Sequence, residues 1–328
     1  MKISIIIPAY NASSTLKECL DAIFVSIFKD FEVILVSDNS TDDTVKIAKE
    51  YKCKIIELKE NKGPAFARNK GAEIAKGDIL VFIDSDVIID KGSISSVVDQ
   101  FLNKETNVIQ GIYSHEPTYK NLPTQYQQSF YCYYSWHTSI KYTSSLITNC
   151  FAIRKNIFEE VHGFNTNIKG ATSEDEEFGY VLLEKGYKII ILREFNGEHR
   201  VNYNLKKIIK RNFAIYTDTT KSYLRNKTYL KKVRQSNYWN ILIGILVFGL
   251  IGLTLSAIIL FSIKSIWSAF LFLNLVFISL HFGFFKFVSK TKGIRKGIGI
   301  LAFCYLDAFI MLSTVLYGSL SYFFKRKY

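Results

Sequence analysis

The chain has 328 residues, 48% of them hydrophobic, and a formal net charge of +13 from 42 Lys+Arg and 29 Asp+Glu. The charge is divided: residues 1–198 carry 22 basic and 27 acidic side chains, a balance of −5, whereas residues 199–328 carry 20 and 2, a balance of +18. Such apolar content excludes intrinsic disorder, and the long apolar runs that interrupt the basic region exclude the soluble basic face of a nucleic-acid binder.

The first segment, Lys2 to Ile7, is a short apolar strand stopped by Pro8 and lacks the longer apolar core of a secretory leader, so it is expected to be part of the fold. Strand-like runs follow at Phe31 to Val36, Lys54 to Leu58 and Ile79 to Ile83. Between them lie helix-like stretches, Ser13 to Ile27 behind Ser/Thr capping candidates, Thr41 to Tyr51 after an Asn-Ser-Thr-Asp turn, and Pro64 to Ala75 with Pro in its first turn. This alternation predicts βαβ units, a mostly parallel sheet and ligand chemistry at the carboxyl ends of its strands. Cys19, Cys53, Cys132, Cys150 and Cys304 show neither a CxxC pair nor regular spacing, which argues for a reduced setting without a zinc site or disulfide framework.

After residue 200 the pattern changes. Leu205, Ile208, Ile209 and Phe213 fall at helical spacing with Lys206, Lys207, Lys210 and Arg211 beside them, the pattern of a helix in a membrane interface or of one packed on a neighbour. Residues 201–238 are expected to hold this helix and a basic linker. Charge-free runs at 239–261 and 266–285, and a third apolar run at 297–324 broken by Asp307, are each long enough for about 30 Å of hydrocarbon, so residues 239–328 are expected to form an α-helical transmembrane region. Lys231, Lys232 and Arg234 before the first run, and five basic residues between the second and third, place residues 1–238 in the cytosol. Three crossings would leave Lys325, Arg326 and Lys327 outside, in conflict with the same rule. Asp307 is costly in lipid and is expected either to pair with a neighbouring helix or to contact substrate.

Three carboxylate clusters carry the candidate chemistry: Ser37 to Asp43, Gly77 to Asp86 and Ser173 to Glu177. In the second, an apolar strand delivers Asp84 and Asp86 at its carboxyl end. Two such neighbours repel, and a hard divalent cation that also bridges substrate phosphates offsets them best. The pattern therefore points to Mg²⁺ or Mn²⁺ with a diphosphate.

The ordered series Ser4 to Asn11, Glu32 to Asp42, Asn61 to Gly71, Gly77-Asp78, Asp84-Ser85-Asp86, Asn149 to Lys155, Phe158 to Phe164 and Ser173 to Gly179 closely resembles the family 2 glycosyltransferases of GT-A fold over roughly residues 1–200. The resemblance implies a GT-A catalytic domain that uses a nucleotide sugar, UDP- or GDP-linked. It implies that Pro8, Tyr10 and Asn11 line the nucleotide pocket, that Asp38 bonds the base, and that Arg68 and Asp78 contact the nucleoside and diphosphate. Asp84 would face the donor ribose or the metal, Ser85 would face the donor, Asp86 would bind the metal, and Asp175 would be the catalytic base, with Glu174 and Asn149 in the acceptor region. His199 stands where some GT-A enzymes place a further metal ligand. The implied partners are the nucleotide sugar, the membrane and a lipid or lipid-linked acceptor such as a polyprenyl phosphate. A growing cell-surface glycan is the alternative acceptor, and an inactive membrane scaffold a third reading.

The chain departs from the family pattern at Ser37-Asp38-Asn39-Ser40, where Asp-Asp-Gly-Ser is common, and at His162-Gly163-Phe164, where Gly-Gly-Phe is. Asn39 suits a left-handed backbone. A QxxRW segment, typical of processive synthases, has no clear counterpart. The aromatic run Tyr126, Phe130, Tyr131, Tyr133, Tyr134 and Trp136 reads as a helix face in a core or as a wall for lipid or sugar, and His115, His137, His162 and His281 read as surface or packing residues.

Overall fold

A computed structural model describes residues 1–114, 118–136, 142–143, 146–167, 173–225, 239–261 and 266–324. The chain divides into two compact units, Met1–Tyr119 with Ser135–Asn202, and Lys120–Tyr134 with Tyr203–Tyr328. The segment 120–134, read from the sequence as part of the first domain, thus clusters with the carboxy-terminal helices.

In the first unit, strands β1 (Ile3–Ala9), β2 (Phe31–Ser37), β3 (Cys53–Glu57) and β4 (Ile79–Ile83) lie in the order β3-β2-β1-β4, all parallel. Each is a run of β-branched and apolar residues, and β1 and β4 are buried along their whole length, as a strand covered on both faces must be. Helices α1 (Leu16–Phe24), α2 (Thr44–Ala48) and α3 (Pro64–Ile74) connect them. The predicted helices at 13–27 and 41–51 are shorter in the structure, and Asp42 braces the start of each. Its carboxylate accepts from the Ser13 and Thr44 amides at 3.0 Å each, holding both loops. Burial alone would raise the Asp42 carboxyl, but hydrogen bonds from the Thr44 and Ser13 side chains, and then from their amides, outweigh it and bring it down to about 2.

The sheet continues with strands the sequence reading did not resolve: β5 (Val87–Ile89), β6 (Val108–Tyr113), β7 (Tyr142–Thr143), β8 (Cys150–Arg154) and β9 (Ile189–His199). The order extends as β4-β8-β6-β9-β5. Here β8 runs antiparallel to β4 and β6, β9 parallel to β6, and β5 and β7 antiparallel to β9. Helix α4 (Ser93–Leu102) links β5 to β6, and α6 (Lys155–Glu160) and α7 (Glu174–Glu184) link β8 to β9; α5 (Leu122–Trp136) begins in the second unit. Phe82, Phe151, Phe158, Phe164 and Phe178 pack in one core cluster with ring centroids 4.3–6.2 Å apart, fixing α6 and α7 against the sheet.

The second unit is helical: residues 122–134 of α5, then α8 (Leu205–Arg225), α9 (Trp239–Phe261), α10 (Trp267–Lys292) and α11 (Ile294–Phe324). Helices α10 and α11 are long and apolar enough to cross a membrane, and α9 covers the first predicted run. Gly293, at φ 94°, turns α10 into α11, and Tyr305 on α11 donates to Asn274 on α10 at 3.0 Å. Asp307 has the pairing expected of a buried carboxylate in an apolar helix. It accepts from Tyr126 and Tyr216 hydroxyls at 3.0 and 2.9 Å and from the Asn212 amide at 2.8 Å. The amphipathic helix α8 therefore packs on α11, with Phe213 5.6 Å from Tyr317, while Leu205, Ile209 and Phe213 stay partly exposed. The Tyr126 ring stacks on Phe303 at 5.1 Å, so this part of the aromatic run is a packed helix face. His281 bonds the Phe277 carbonyl within its own helix at 2.9 Å, a packing role. His115, His137, Lys231, Lys232, Arg234 and Lys325 to Lys327, on which sequence expectations fell, lie outside the described residues.

Candidate active site

Because β1, β2 and β4 are parallel, the loops after them open at one edge of the sheet. Tyr10 and Asn11 follow β1, Asp38 follows β2, and Asp84, Ser85 and Asp86 follow β4. Antiparallel β8 brings Asn149 to the same end, with Cys150 paired to Ile83, and β9 brings His199 opposite Val87. Tyr10 is 54% exposed and free to meet a ligand, whereas Pro8 is buried within β1. Asn11 and Asn39 both take left-handed backbones, at φ 48° and 60°. The Asn11 side chain accepts from the Thr41 amide at 2.8 Å, so it braces the loop after β2.

Asp84, Asp86 and His199 come together at the end of β4. His199 Nε2 is 3.3 Å from Asp86 Oδ2, and the imidazole stacks on Tyr113 at 4.8 Å. Asp84 is pushed up to about 6, first by burial and then by the charge of Asp86, against the pull of Arg68. Two crowded carboxylates that resist joint ionisation form an electrostatic setting that a divalent cation relieves. Carboxylate oxygens suit Mg²⁺ or Mn²⁺. Among the described residues no group of three His, Cys, Asp or Glu side chains is arranged to hold a metal ion.

Glu174 and Asp175 open helix α7, but they face different surroundings. Glu174 is 4% exposed and accepts from Arg68 Nη1 at 3.2 Å, while Asp175 is half-buried and accepts from the adjacent Glu176 amide at 2.8 Å. Burial raises the Asp175 carboxyl above the usual range, Glu174 adds to the rise, and Arg68 opposes it. A carboxylate with a raised affinity for protons, beside a cation-suited pair, can accept a proton from a bound hydroxyl.

Four expected site residues are placed elsewhere or otherwise engaged. Asp78 precedes β4, at the amino end of the strand, where its carboxylate accepts from the Lys2 amide at 3.0 Å. The six residues from it to Asp84 span about 20 Å of extended chain, which removes it from the nucleotide pocket. Asp38 is 3% exposed, and its two oxygens accept from the Lys62 and Gly63 amides at 2.8 and 2.7 Å. It therefore anchors the start of α3 instead of presenting itself to a base. Arg68 is also 3% exposed and is bound to carboxylates rather than open to a diphosphate. The buried Asn149 lends its backbone carbonyl to the Asp84 amide at 3.0 Å, a support for the strand end.

Other contributors were not visible in the sequence. Arg200 donates its backbone N–H to the Asp86 carbonyl at 2.8 Å, and its guanidinium reaches Glu18 at 2.9 Å. Phe164 lies under the Arg68 guanidinium at 5.5 Å. The His-Gly-Phe motif signalled the turn before Phe164 but not what its ring would cover.

Comparison with known proteins gives consistent findings. The model of glycosyl transferase family 2 matches residues 4–162. Glycosyltransferase GlyG of Streptococcus pneumoniae is 31% identical over 116 residues, which cover 34% of this chain and 38% of that protein. The poly(ribitol-phosphate) beta-glucosyltransferase of Bacillus spizizenii is 43% identical over 94 residues, 26% of this chain and 15% of that one. The chain thus spans less than two fifths of the length of these curated relatives. Among solved structures, the mannosyltransferase PcManGT from Pyrobaculum calidifontis, in complex with GDP-Man and Mn²⁺, matches with a TM-score of 0.57 at 14% identity over 99% of this chain and 88% of that one. That likeness is one of fold.

Proposed function

With residues 4–162 belonging to the family 2 glycosyl transferases and the sheet carrying their GT-A fold, we propose that this chain moves a sugar, with inversion, from a UDP- or GDP-linked donor to an acceptor held at a membrane. The observation that carries the reading is the convergence of Asp84, Asp86 and His199 at the end of β4, with Asp175 at the head of α7. Tyr10, Asn11 and Ser85 border the space for the nucleotide. Asp84, Asp86 and His199 are the residues that would hold Mg²⁺ or Mn²⁺, and such an ion neutralises the charge of a departing nucleoside diphosphate. The neighbour bound to GDP-Man and Mn²⁺ supports a donor and a cation of this kind.

Asp175 takes the proton from an acceptor hydroxyl as that oxygen attacks the anomeric carbon. When the acceptor is already a phosphate, no such proton is in the way, and the carboxylate serves to orient it. The long apolar helices and the basic helix α8 support an acceptor delivered at the membrane, a polyprenyl phosphate or other lipid-linked acceptor, with the transferase unit on the cytosolic side. A second reading, transfer to a growing cell-surface glycan, is favoured by the similarity to a poly(ribitol-phosphate) beta-glucosyltransferase.

The test is release of nucleoside diphosphate by the purified full chain with Mn²⁺, separate UDP and GDP sugars, and a membrane lipid extract. One donor is expected to turn over, and Asp86→Ala to abolish the release. Absence of turnover with every donor, with and without extract, would sink the transferase reading in favour of a scaffold.

A further inference from the structure

Arg68 stands on the buried face of α3, 3% exposed. Its Nη2 meets Asp84 Oδ1 at 2.8 Å, its Nη1 meets Glu174 Oε1 at 3.2 Å, and its face lies over Phe164. Its third nitrogen, Nε, is buried with no hydrogen-bond partner. A guanidinium donates from all of its nitrogens and accepts nothing. Here two of its five N–H groups are committed to carboxylates from two different elements, and its burial keeps the guanidinium from a substrate phosphate.

We infer that Arg68 is a positioning residue that joins the two halves of the reaction site without touching substrate. It ties the carboxylate at the end of β4 to the first residue of α7, and so sets the distance between the cation-suited pair and Asp175. The inference rests on the transferase reading for its meaning, although the clamp itself is geometric. It also reassigns Glu174. At 4% exposure this side chain is a counter-ion for Arg68, and Asp175 is the more exposed member of the acidic pair.

Charge and shape both require arginine here. Asp84, Asp86, Glu174 and Asp175 put four carboxylates around this end of the sheet, and Arg68 is the cation buried among them. A lysine supplies the same charge as a point donor, and cannot hold two carboxylates in fixed directions as a planar fork does. Phe164 keeps the plane of the fork aligned, because its own ring is locked against Phe178 at 4.3 Å. Asp38 contributes one step further back, since its hold on the Lys62 and Gly63 amides sets where α3 begins.

The test uses the full chain with R68K, R68M, E174Q and the double variant R68M/E174Q. Turnover is followed with the donor that the wild type uses, binding of UDP and GDP is measured without metal, and thermal unfolding is measured in parallel. In R68K, kcat is expected to fall about 100-fold through lost alignment, while KM for the donor and metal-free nucleotide affinity stay within about threefold. In unfolding, E174Q is expected to restore most of the Tm lost in R68M, because Glu174 is then no longer a buried charge without its partner.

Three results overturn the inference: a tenfold loss of metal-free UDP or GDP affinity in folded R68K, which would make Arg68 a substrate contact; a wild-type kcat in R68K; or strictly additive Tm losses for R68M and E174Q. A wild-type protein that neither binds nor releases any nucleotide sinks the transferase reading instead, and the unfolding cycle still decides the clamp.

Discussion

The two units bury opposite charges and satisfy them by different means. In the sheet unit a buried cation, Arg68, is held by ionised partners, Asp84 and Glu174. In the helical unit a buried anion, Asp307, is held by three neutral donors, Tyr126, Tyr216 and Asn212. Ionic partners leave a field that a ligand and a cation can use, at the cost of several charges crowded together. Neutral donors quench a charge where no ligand is called for. They suit a helix whose other residues are apolar, because an unpaired carboxylate there is expensive. Removing one of these carboxylates from the first unit is therefore expected to damage activity, and removing Asp307 from the second to damage stability.

The largest effect is expected at Asp175. Asp175→Asn is expected to lower turnover with an alcohol acceptor by about 10² to 10⁴, the usual span for general-base help, in a nucleotide-release assay. The same variant is expected to be more stable than the wild type. The folded-state pKa of Asp175 is raised by burial and by Glu174. Its contribution to stability is therefore present below the ordinary carboxylate range and is lost as pH rises through the raised value. Asparagine bears no such loss, so the gain in Tm should be large at pH 8 and vanish near pH 4. A near-normal rate in Asp175→Asn with an alcohol acceptor would remove the base assignment, and a gain in Tm independent of pH would remove its electrostatic explanation.

Asp307 supplies the opposite case. Asp307→Ala leaves two tyrosine hydroxyls and one amide without their acceptor inside the helical unit and is expected to cost about 2–4 kcal/mol, read by unfolding of the full chain in detergent. Asp307→Asn keeps one acceptor oxygen and is expected to cost less. An alanine variant as stable as the wild type would show that the cluster is not what holds α8 and α11 together.

What the sequence revealed follows the range of the interactions involved. Strand β4 was legible to the residue, because Ile79 to Ile83 is an unbroken apolar run bounded by Asp on both sides. That symmetry also misled: Asp78 and Asp84 flank the same strand but occupy opposite ends of it, and only one end faces the loops of β1 and β2. The pairing of Arg68 with Glu174 joins residues 106 apart in the chain, and no local periodicity reports such a contact. Asp38 was read as a carboxylate that bonds the base, but its direction depends on where the loop at Lys62 and Gly63 passes. Strands β5 to β9 escaped because their mixed orientations leave no βαβ rhythm, and β9 carries polar residues between Arg193 and His199. Helix α8 was legible as amphipathic, whereas its partner, α11, is fixed by a single aspartate nearly one hundred residues later.

The smallest predicted effects sharpen the contrast most. Tyr126→Phe and Tyr216→Phe each remove one donor from Asp307 Oδ2 and leave the other in place. Each is expected to cost about 1 kcal/mol, the net value of an ordinary hydrogen bond. Together they strip Oδ2 of both hydroxyl donors while Asn212 still serves Oδ1, so the double variant should cost more than the sum of the singles. Metal-free UDP and GDP affinity should be unchanged in all three, because the residues proposed to face the nucleotide belong to the sheet unit. Additive losses in the unfolding cycle would mean that the two hydroxyls act independently, and the carboxylate would then be stabilised bond by bond instead of as a quenched charge.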